Sequence, residues 1–266
     1  MTKNKEKKTF YVVLAIILSV VVLGLTSILI IGIANKGSFR FGINADNVST
    51  NLAYEKDYEI ADLEHVAINV KAGKVSVYST ESDAASLKFY AKNEKDAVVN
   101  NDGKTLIIQD ESEECHFFCV GWEGVNVELY LPDTYTGEIK VDNDFGRVKI
   151  EDFAEASLDV DSSAGDVELG VAKNINADLS MGRLTVKDCL GRIRISNSMG
   201  DVEIENLHLT ENSDISLSMG NIRIDHVGDV RVDADVDMGN KNINGGNDDA
   251  AVKLRIDNSM GNISVH

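Results

Sequence analysis

The chain has 266 residues, of which 44 are Asp or Glu and 26 are Lys or Arg, giving a formal net charge of −18. The first 35 residues carry four lysines and one glutamate, so the rest of the chain has a net charge of −21. Such an acidic surface argues against nucleic acid or anionic lipid as a ligand, and it admits cationic peptides or divalent cations. The simpler explanation is solubility, because like charges keep copies of a protein apart.

An uncharged segment near the N-terminus, residues 10–34, is long enough to cross a bilayer. The lysine-rich residues 1–9 precede it, and this positive charge places the N-terminus in the cytoplasm and the C-terminal part outside. A cleaved signal peptide is the alternative, but its apolar region would usually span only about 7–15 residues. We therefore expect a cytoplasmic tail (1–9), a transmembrane helix in contact with lipid (10–34), and a single-pass cell-membrane protein.

The segment between this helix and the regular repeats divides into two parts. Residues 35–60 are expected to be a tether, and residues 61–135 an irregular β region that covers the first open repeat. Cys115 and Cys119 lie in the second part, separated by His-Phe-Phe. Three states are open to them: a disulfide across a turn, part of a metal site, or free thiols. Oxidation outside the membrane favours the disulfide.

Residues 136–266 carry an internal repeat marked by glycine. The glycines of successive Met-Gly pairs are 18, 20, 19 and 22 residues apart, a period typical of a solenoid whose repeats stack on one another. Apolar residues alternate on both sides of each glycine, as at Ile193, Ile195, Val202 and Ile204, which predicts two short strands joined at a glycine corner. The predicted corner glycines are Gly73, Gly146, Gly165, Gly182, Gly200, Gly220, Gly239 and Gly261.

A methionine precedes five of these glycines. Continuing the alternation from Ile193 and Ile195 places each methionine on the inward face, where a flexible side chain fills gaps in a core. Thioethers also suit soft metals such as Cu(I), but inward placement favours packing over metal binding. The predicted inward column consists of Met181, Met199, Met219, Met238 and Met260.

These patterns predict an all-β fold, a β-solenoid of roughly 19-residue repeats preceded by one transmembrane α-helix. No aromatic residue follows Phe153, which suits a narrow core of stacked aliphatic side chains. The only proline is Pro132, as expected where most backbone N–H groups bond to the next repeat.

No group of residues predicts a catalytic, cofactor or metal site. The five histidines are not grouped with a Ser or Cys nucleophile, and carboxylates are too numerous for any pair to stand out. The loop at residues 244–249 and the alternating aspartates at 233–237 resemble calcium ligands, but neither matches a known calcium-binding pattern. Solvated surface is the simpler interpretation of both.

An apolar strand that ends at Leu131-Pro132, followed by repeated Gly-Asp/Asn/Arg-Val/Ile units, resembles the bacterial putative adhesin family of β-strand repeat domains, formerly a domain of unknown function. The resemblance extends over the part of the chain that follows the tether. It implies a membrane-tethered protein of the Gram-positive type, and some such proteins are linked to cell-envelope stress responses. It supplies no catalytic residues. The units that carry it begin at Gly146, Gly165, Gly200, Gly220 and Gly261.

Two classes of function remain. One is a non-catalytic cell-envelope protein that displays an acidic solenoid outside the membrane and binds an unidentified protein or envelope partner. The other is a carbohydrate-active β-helix enzyme, although repeats this short leave little room for the loops of a substrate groove. Because the repeat pattern runs to the last residue, residues 261–266 would form an exposed strand edge, suited to association by β-augmentation.

Overall fold

A computed structural model describes residues 47–112 and 123–266 of the chain. The predicted membrane segment, residues 10–34, and the pair Cys115 and Cys119 lie outside these ranges. Within them, no helix has the length and apolar character needed to cross a membrane.

The described residues form sixteen β-strands of one sheet and a short 3-10 helix at Glu94–Asp96. The predicted all-β solenoid is thereby confirmed for this part of the chain. In chain order the strands are β1 (Leu52–Glu59), β2 (His65–Thr80), β3 (Ala84–Tyr90), β4 (Ala97–Asn101), β5 (Thr105–Asp110), β6 (Val125–Pro132), β7 (Glu138–Ile150), β8 (Phe153–Met181), β9 (Leu184–Met199), β10 (Val202–Leu207), β11 (Ser213–Met219), β12 (Ile222–Val227), β13 (Arg231–Met238), β14 (Lys241–Ile243), β15 (Lys253–Met260) and β16 (Ile263–Val265).

Stacking of parallel repeats builds the core. Each repeat consists of a strand, a glycine corner and a second strand, and it pairs in register with the repeat beside it. One inward column runs through β8, β9, β10, β12 and β16, and its side chains are at most 1% exposed. Each such side chain stabilises the fold by about 1.5–3 kcal/mol. The column consists of Val167, Leu184, Val202, Ile222 and Ile263.

The corners bring the backbones of neighbouring repeats into close contact. All eight predicted corner glycines have φ between +133° and +148°, a conformation that L side chains rarely adopt. At Gly200, a Cβ atom would lie 1.9 Å from the carbonyl oxygen of Gly182 in the preceding repeat. A side chain at this corner would therefore force the two repeats apart.

The N-terminal end of the solenoid is closed by antiparallel strands. Strands β5 and β6 both lie parallel to β2, and then β4 adds to β5 while β3 and β1 add to β6. Strand β1 begins at Leu52, so the prediction of a tether extending to residue 60 is wrong. The reason is pairing with β3, which holds β1 in register and buries Tyr58 to 5% exposure.

The C-terminal end does not follow the order of the sequence. Strands β15 and β16 lie between the β11–β12 repeat and the β13–β14 repeat, so the last repeat in the chain is the second to last in space. The prediction that residues 261–266 form a free edge is wrong, because Ile263–Val265 pairs with β12 on one side and β14 on the other. The outer strands at this end are β13 and β14.

Candidate binding surface

The five methionines face solvent. They are 42% to 62% exposed, whereas most isoleucines and valines of the same strands are buried. The predicted inward methionine column is therefore wrong. In spatial order the methionines are Met181, Met199, Met219, Met260 and Met238.

The alternation fails before the corner in all five methionine repeats, although the preceding inward position holds Leu, Val or Asn. Where that residue is asparagine, a buried amide bonds the turn. Asn197 points inward, and its side-chain Oδ1 accepts a hydrogen bond from the backbone N of Met199 at 3.1 Å. Its Nδ2 donates to the carbonyl oxygen of Gly182 at 3.2 Å. The chain turns inside this short loop, so that Ser198 and Met199 both point outward. The side chains therefore switch from the inward to the outward face before Gly200, and not at Gly200 itself.

The five methionines form one continuous line, which we call the methionine ridge. Each methionine is the register partner of the next, across five adjacent repeats. Because parallel strands lie about 4.8 Å apart, the ridge is about 19 Å long. Earlier repeats place Ala164 and the exposed Phe145 in the same column.

Uncharged polar side chains border most of the ridge. On one side, four of the five methionines follow an exposed serine; these serines are Ser180, Ser198, Ser218 and Ser259. On the other side, the residues after the glycines form a ladder in which each side-chain amide donates to the next repeat. Asn221 donates to Asp201 at 3.1 Å, Asn262 to Asn221 at 3.0 Å, and Asn240 to Asn262 at 3.3 Å.

Carboxylates are concentrated elsewhere on the same strands. Asp142 and Asp161 are register partners, and partial burial, together with the charges of Asp142 and Asp178, raises the pKa of Asp161. Asp159 has the opposite balance: burial raises its pKa, but hydrogen bonds from Lys140 and Asn176 outweigh that effect and lower it. The ridge is thus a neutral, apolar line on an acidic body.

Two open grooves contain none of the ridge methionines in their linings. The larger has a volume of about 620 Å³, and Lys187 bonds Asp152 across it at 2.6 Å. The smaller, of about 420 Å³, is lined by residues that include Arg192, Arg194 and Asp159. Asp161, whose pKa is raised, lines neither groove.

Away from the ridge, the described part of the chain has one cysteine and no grouping of the usual metal ligands. Cys189 is buried, and its thiol donates to the carbonyl oxygen of Arg192 at 3.2 Å. Burial raises the pKa of this thiol to about 11, so it stays protonated. No cluster of three His, Cys, Asp or Glu side chains in the described ranges is arranged to hold a metal ion.

The comparisons with known proteins agree with the fold. Residues 63–266 match the model of the Toastrack family, DUF4097. A putative adhesin from Bacteroides fragilis NCTC 9343 has 15% sequence identity and a TM-score of 0.55, covering 82% of this chain and 98% of its own. A putative cell adhesion protein from Clostridium sporogenes ATCC 15579 has 12% identity and a TM-score of 0.40, covering 80% of this chain and 98% of its own. No curated protein matched the sequence.

At these identities the structural likeness shows the fold alone. The resemblance to a putative adhesin family of β-repeat domains is confirmed. Because the family model matches more than half of its residues, this chain belongs to the Toastrack (DUF4097) family.

Proposed function

We propose that this protein is a non-catalytic, membrane-anchored component of the cell envelope that binds another envelope protein through the methionine ridge. The observation that carries the proposal is an apolar line about 19 Å long on a body with a net charge of −21. Apolar side chains exposed in a continuous line mark interaction surfaces more often than scattered ones do. Methionine is common on such surfaces because its side chain adapts to its partner.

The chemistry of the ridge defines the kind of partner. Serines and asparagines border most of it, and the charged exceptions are Arg183, Asp201 and Asp237, so a partner needs an apolar strip with mainly uncharged hydrogen-bonding groups at its margins. A strongly cationic partner would be drawn instead to the carboxylates on the neighbouring face, around Asp142 and Asp161. We therefore assign the ridge to a protein with a complementary apolar surface.

Anchoring rests on the uncharged residues 10–34 and the lysines before them. A membrane-impermeant maleimide tests the orientation on intact cells. The probe is Ser198→Cys in a chain whose Cys115 and Cys119 are changed to Ser. We expect labelling of the intact cells; labelling only after lysis would place the solenoid inside and refute the proposal.

Photo-crosslinking tests the surface. A photoreactive residue at Ser198 lies beside Met199, and the control position Glu203 lies on an exposed part of the next strand. We expect one discrete adduct with an envelope protein from position 198, none from position 203, and loss of the adduct when Met199 and Met219 are changed to Lys. Equal adducts from both positions, or an adduct unaffected by the lysines, would contradict the proposal.

The enzyme alternative has less support. A glycosidase needs a carboxylic acid with a raised pKa beside its substrate. The raised pKa at Asp161 belongs to a residue outside both grooves. The Bacteroides fragilis relative is called a putative adhesin, which is a binding function and not a catalytic one.

A further inference from the structure

The use of methionine in this chain is confined to one place. The sequence contains six methionines: Met1 and the five of the ridge. The buried core of the described residues is built from valine, leucine, isoleucine and a few other side chains, and it contains no methionine. Methionine is therefore not a general apolar filler in this protein.

Folding does not explain this choice, because other side chains occupy the same column. Ala72, Phe145 and Ala164 precede their corner glycines in the same register as the methionines do. An apolar ridge alone could equally be made of leucine, which has a similar volume. What methionine adds is the thioether sulfur.

Stacked thioethers are soft ligands in a suitable arrangement. Thioether and thiolate ligands select Cu(I) among the biological metals, whereas carboxylates, carbonyls and hydroxyls suit hard cations. Adjacent methionines of the ridge are register partners on strands about 4.8 Å apart. Their unbranched side chains have three rotatable bonds, so the sulfurs of two or three neighbours can turn toward one ion.

The surroundings favour a soft cation at this position. The serine and asparagine oxygens beside the ridge are hard donors, which compete weakly for a soft ion. The net negative charge of the body raises the local concentration of any cation. Cys189 offers no competing thiolate, because it is buried and protonated.

We propose that the methionine ridge binds a soft monovalent cation, Cu(I) or its chemical analogue Ag(I), through the sulfurs of methionines on adjacent repeats. The proposal rests on the ridge alone and does not require the partner or the membrane anchor. Methionines that pointed inward would pack in the core and be closed to metal ions, but all five of the ridge face solvent.

The first test uses methyl NMR of the full-length protein in detergent, with the methionine methyl groups labelled with ¹³C and Cys115 and Cys119 changed to Ser. Six methionines give a spectrum simple enough to assign. During a titration with Ag(I), we expect ridge signals to shift and saturate at a defined stoichiometry while the Met1 signal stays in place. Unchanged ridge signals at excess Ag(I), or equal shifts of all six, would overturn the proposal.

The second test measures affinity for Cu(I) by anaerobic competition with a coloured chelator. Changing Met199, Met219 and Met260 together to Leu should weaken binding by at least about tenfold. The matched control changes Ser198, Ser218 and Ser259 to Ala and should bind as the parent does. Because a thioether carries no proton to lose, affinity should stay constant from about pH 6 to pH 8, unlike that of a histidine site.

Circular dichroism of the leucine variant shows whether its fold is retained, and the exposure of the three positions predicts that it is. Binding by a folded leucine variant as tight as that of the parent would refute the ridge as the site. So would affinity that falls on acidification, because it would assign the ion to histidine.

Discussion

Asn197 and Met199 are joined by a hydrogen bond of 3.1 Å from the backbone N of Met199 to the side-chain Oδ1 of Asn197. The same arrangement recurs at Asn258 and Met260, at 3.2 Å. In both repeats the asparagine Nδ2 also donates to the corner glycine of the neighbouring repeat. In these two repeats a buried amide bonds the corner on both sides, whereas Leu179 and Leu217 hold the same inward position in two other repeats whose methionines are also exposed.

Asn143 occupies the equivalent inward position of an earlier repeat, but among the described residues neither its Oδ1 nor its Nδ2 has a hydrogen-bond partner. Leucine fits this column, since Leu179 and Leu217 are the register partners of Asn197. We predict that Asn143→Leu raises the free energy of unfolding by about 1–3 kcal/mol, because it removes a buried amide without partners. Urea denaturation of the full-length protein measures the change.

The control is Asn197→Leu, which should lower the free energy of unfolding because it leaves Met199 N and Gly182 O without the amide. If both substitutions shift stability in the same direction, the corner role assigned to the asparagine is wrong.

The corner glycines provide the second prediction. Gly200→Ala would place a Cβ atom 1.9 Å from the carbonyl oxygen of Gly182, at a φ of +133°. Strain and overpacking together should lower the free energy of unfolding by at least about 2 kcal/mol. Gly103→Ala is the matched control, because Gly103 also has positive φ but, apart from its chain neighbours, no atom of the described residues lies within 4 Å of the added Cβ. If both substitutions lowered the free energy of unfolding equally, the close contact between repeats at Gly200 would add nothing to the cost of the side chain.

Much of this fold could be predicted from the sequence. The glycine period and the two-residue alternation indicate the repeat and its corners, because one repeat stacks on its neighbour in a fixed register. The outward methionines could not be read from alternation, since in every methionine repeat the chain changes face before the corner glycine. The position of β15 and β16 inside the stack could not be predicted either, because the spacing of repeats along the chain does not determine their order in space.

Two aspartates on one strand should respond to pH in opposite ways. Because the folded state raises the pKa of Asp161 above its ordinary value of 3.8, its charge destabilises the protein at neutral pH. Asp161→Asn should therefore stabilise the protein at pH 7, by a few tenths of a kcal/mol as for like charges on neighbouring strands. The gain should disappear as the pH falls through the raised pKa and below 3.8, where the group is protonated in both states.

Asp159 supplies the contrast, because its pKa is lowered in the folded state. Its stabilising effect is present above the ordinary pKa and is lost as the pH falls through the lowered one. Asp159→Asn should thus destabilise the protein at pH 7 and have no effect at low pH. Thermal unfolding between about pH 3 and pH 7 compares the two variants, and effects of the same sign at neutral pH would contradict the assignment.

Lys241 protects the outer edge of the solenoid. It takes the inward position that Ile222 and Ile263 hold in the neighbouring repeats, and its Nζ donates to the carbonyl oxygen of Ala234 at 2.6 Å. A charge that points inward on an edge strand discourages pairing with another chain. Lys241→Ile should therefore promote self-association, more at high salt, where repulsion between acidic copies is screened.

Sedimentation velocity at low and high salt measures this association. Asn242→Ile is the control, since it adds the same side chain to the outward face of the same strand and keeps the lysine. Equal association of the two variants would show that added apolar surface, and not the loss of the lysine, is responsible.

Both the proposed binding function and the proposed cation site require that the five methionines face solvent in the folded protein. Mild oxidation of the full-length protein by peroxide, followed by mass spectrometry, measures this accessibility at each methionine. The account predicts that all five become sulfoxides at rates close to those in the unfolded chain, while the β-sheet signal in circular dichroism is retained. Protection of these methionines until the protein unfolds would contradict the account, because it would return them to the core.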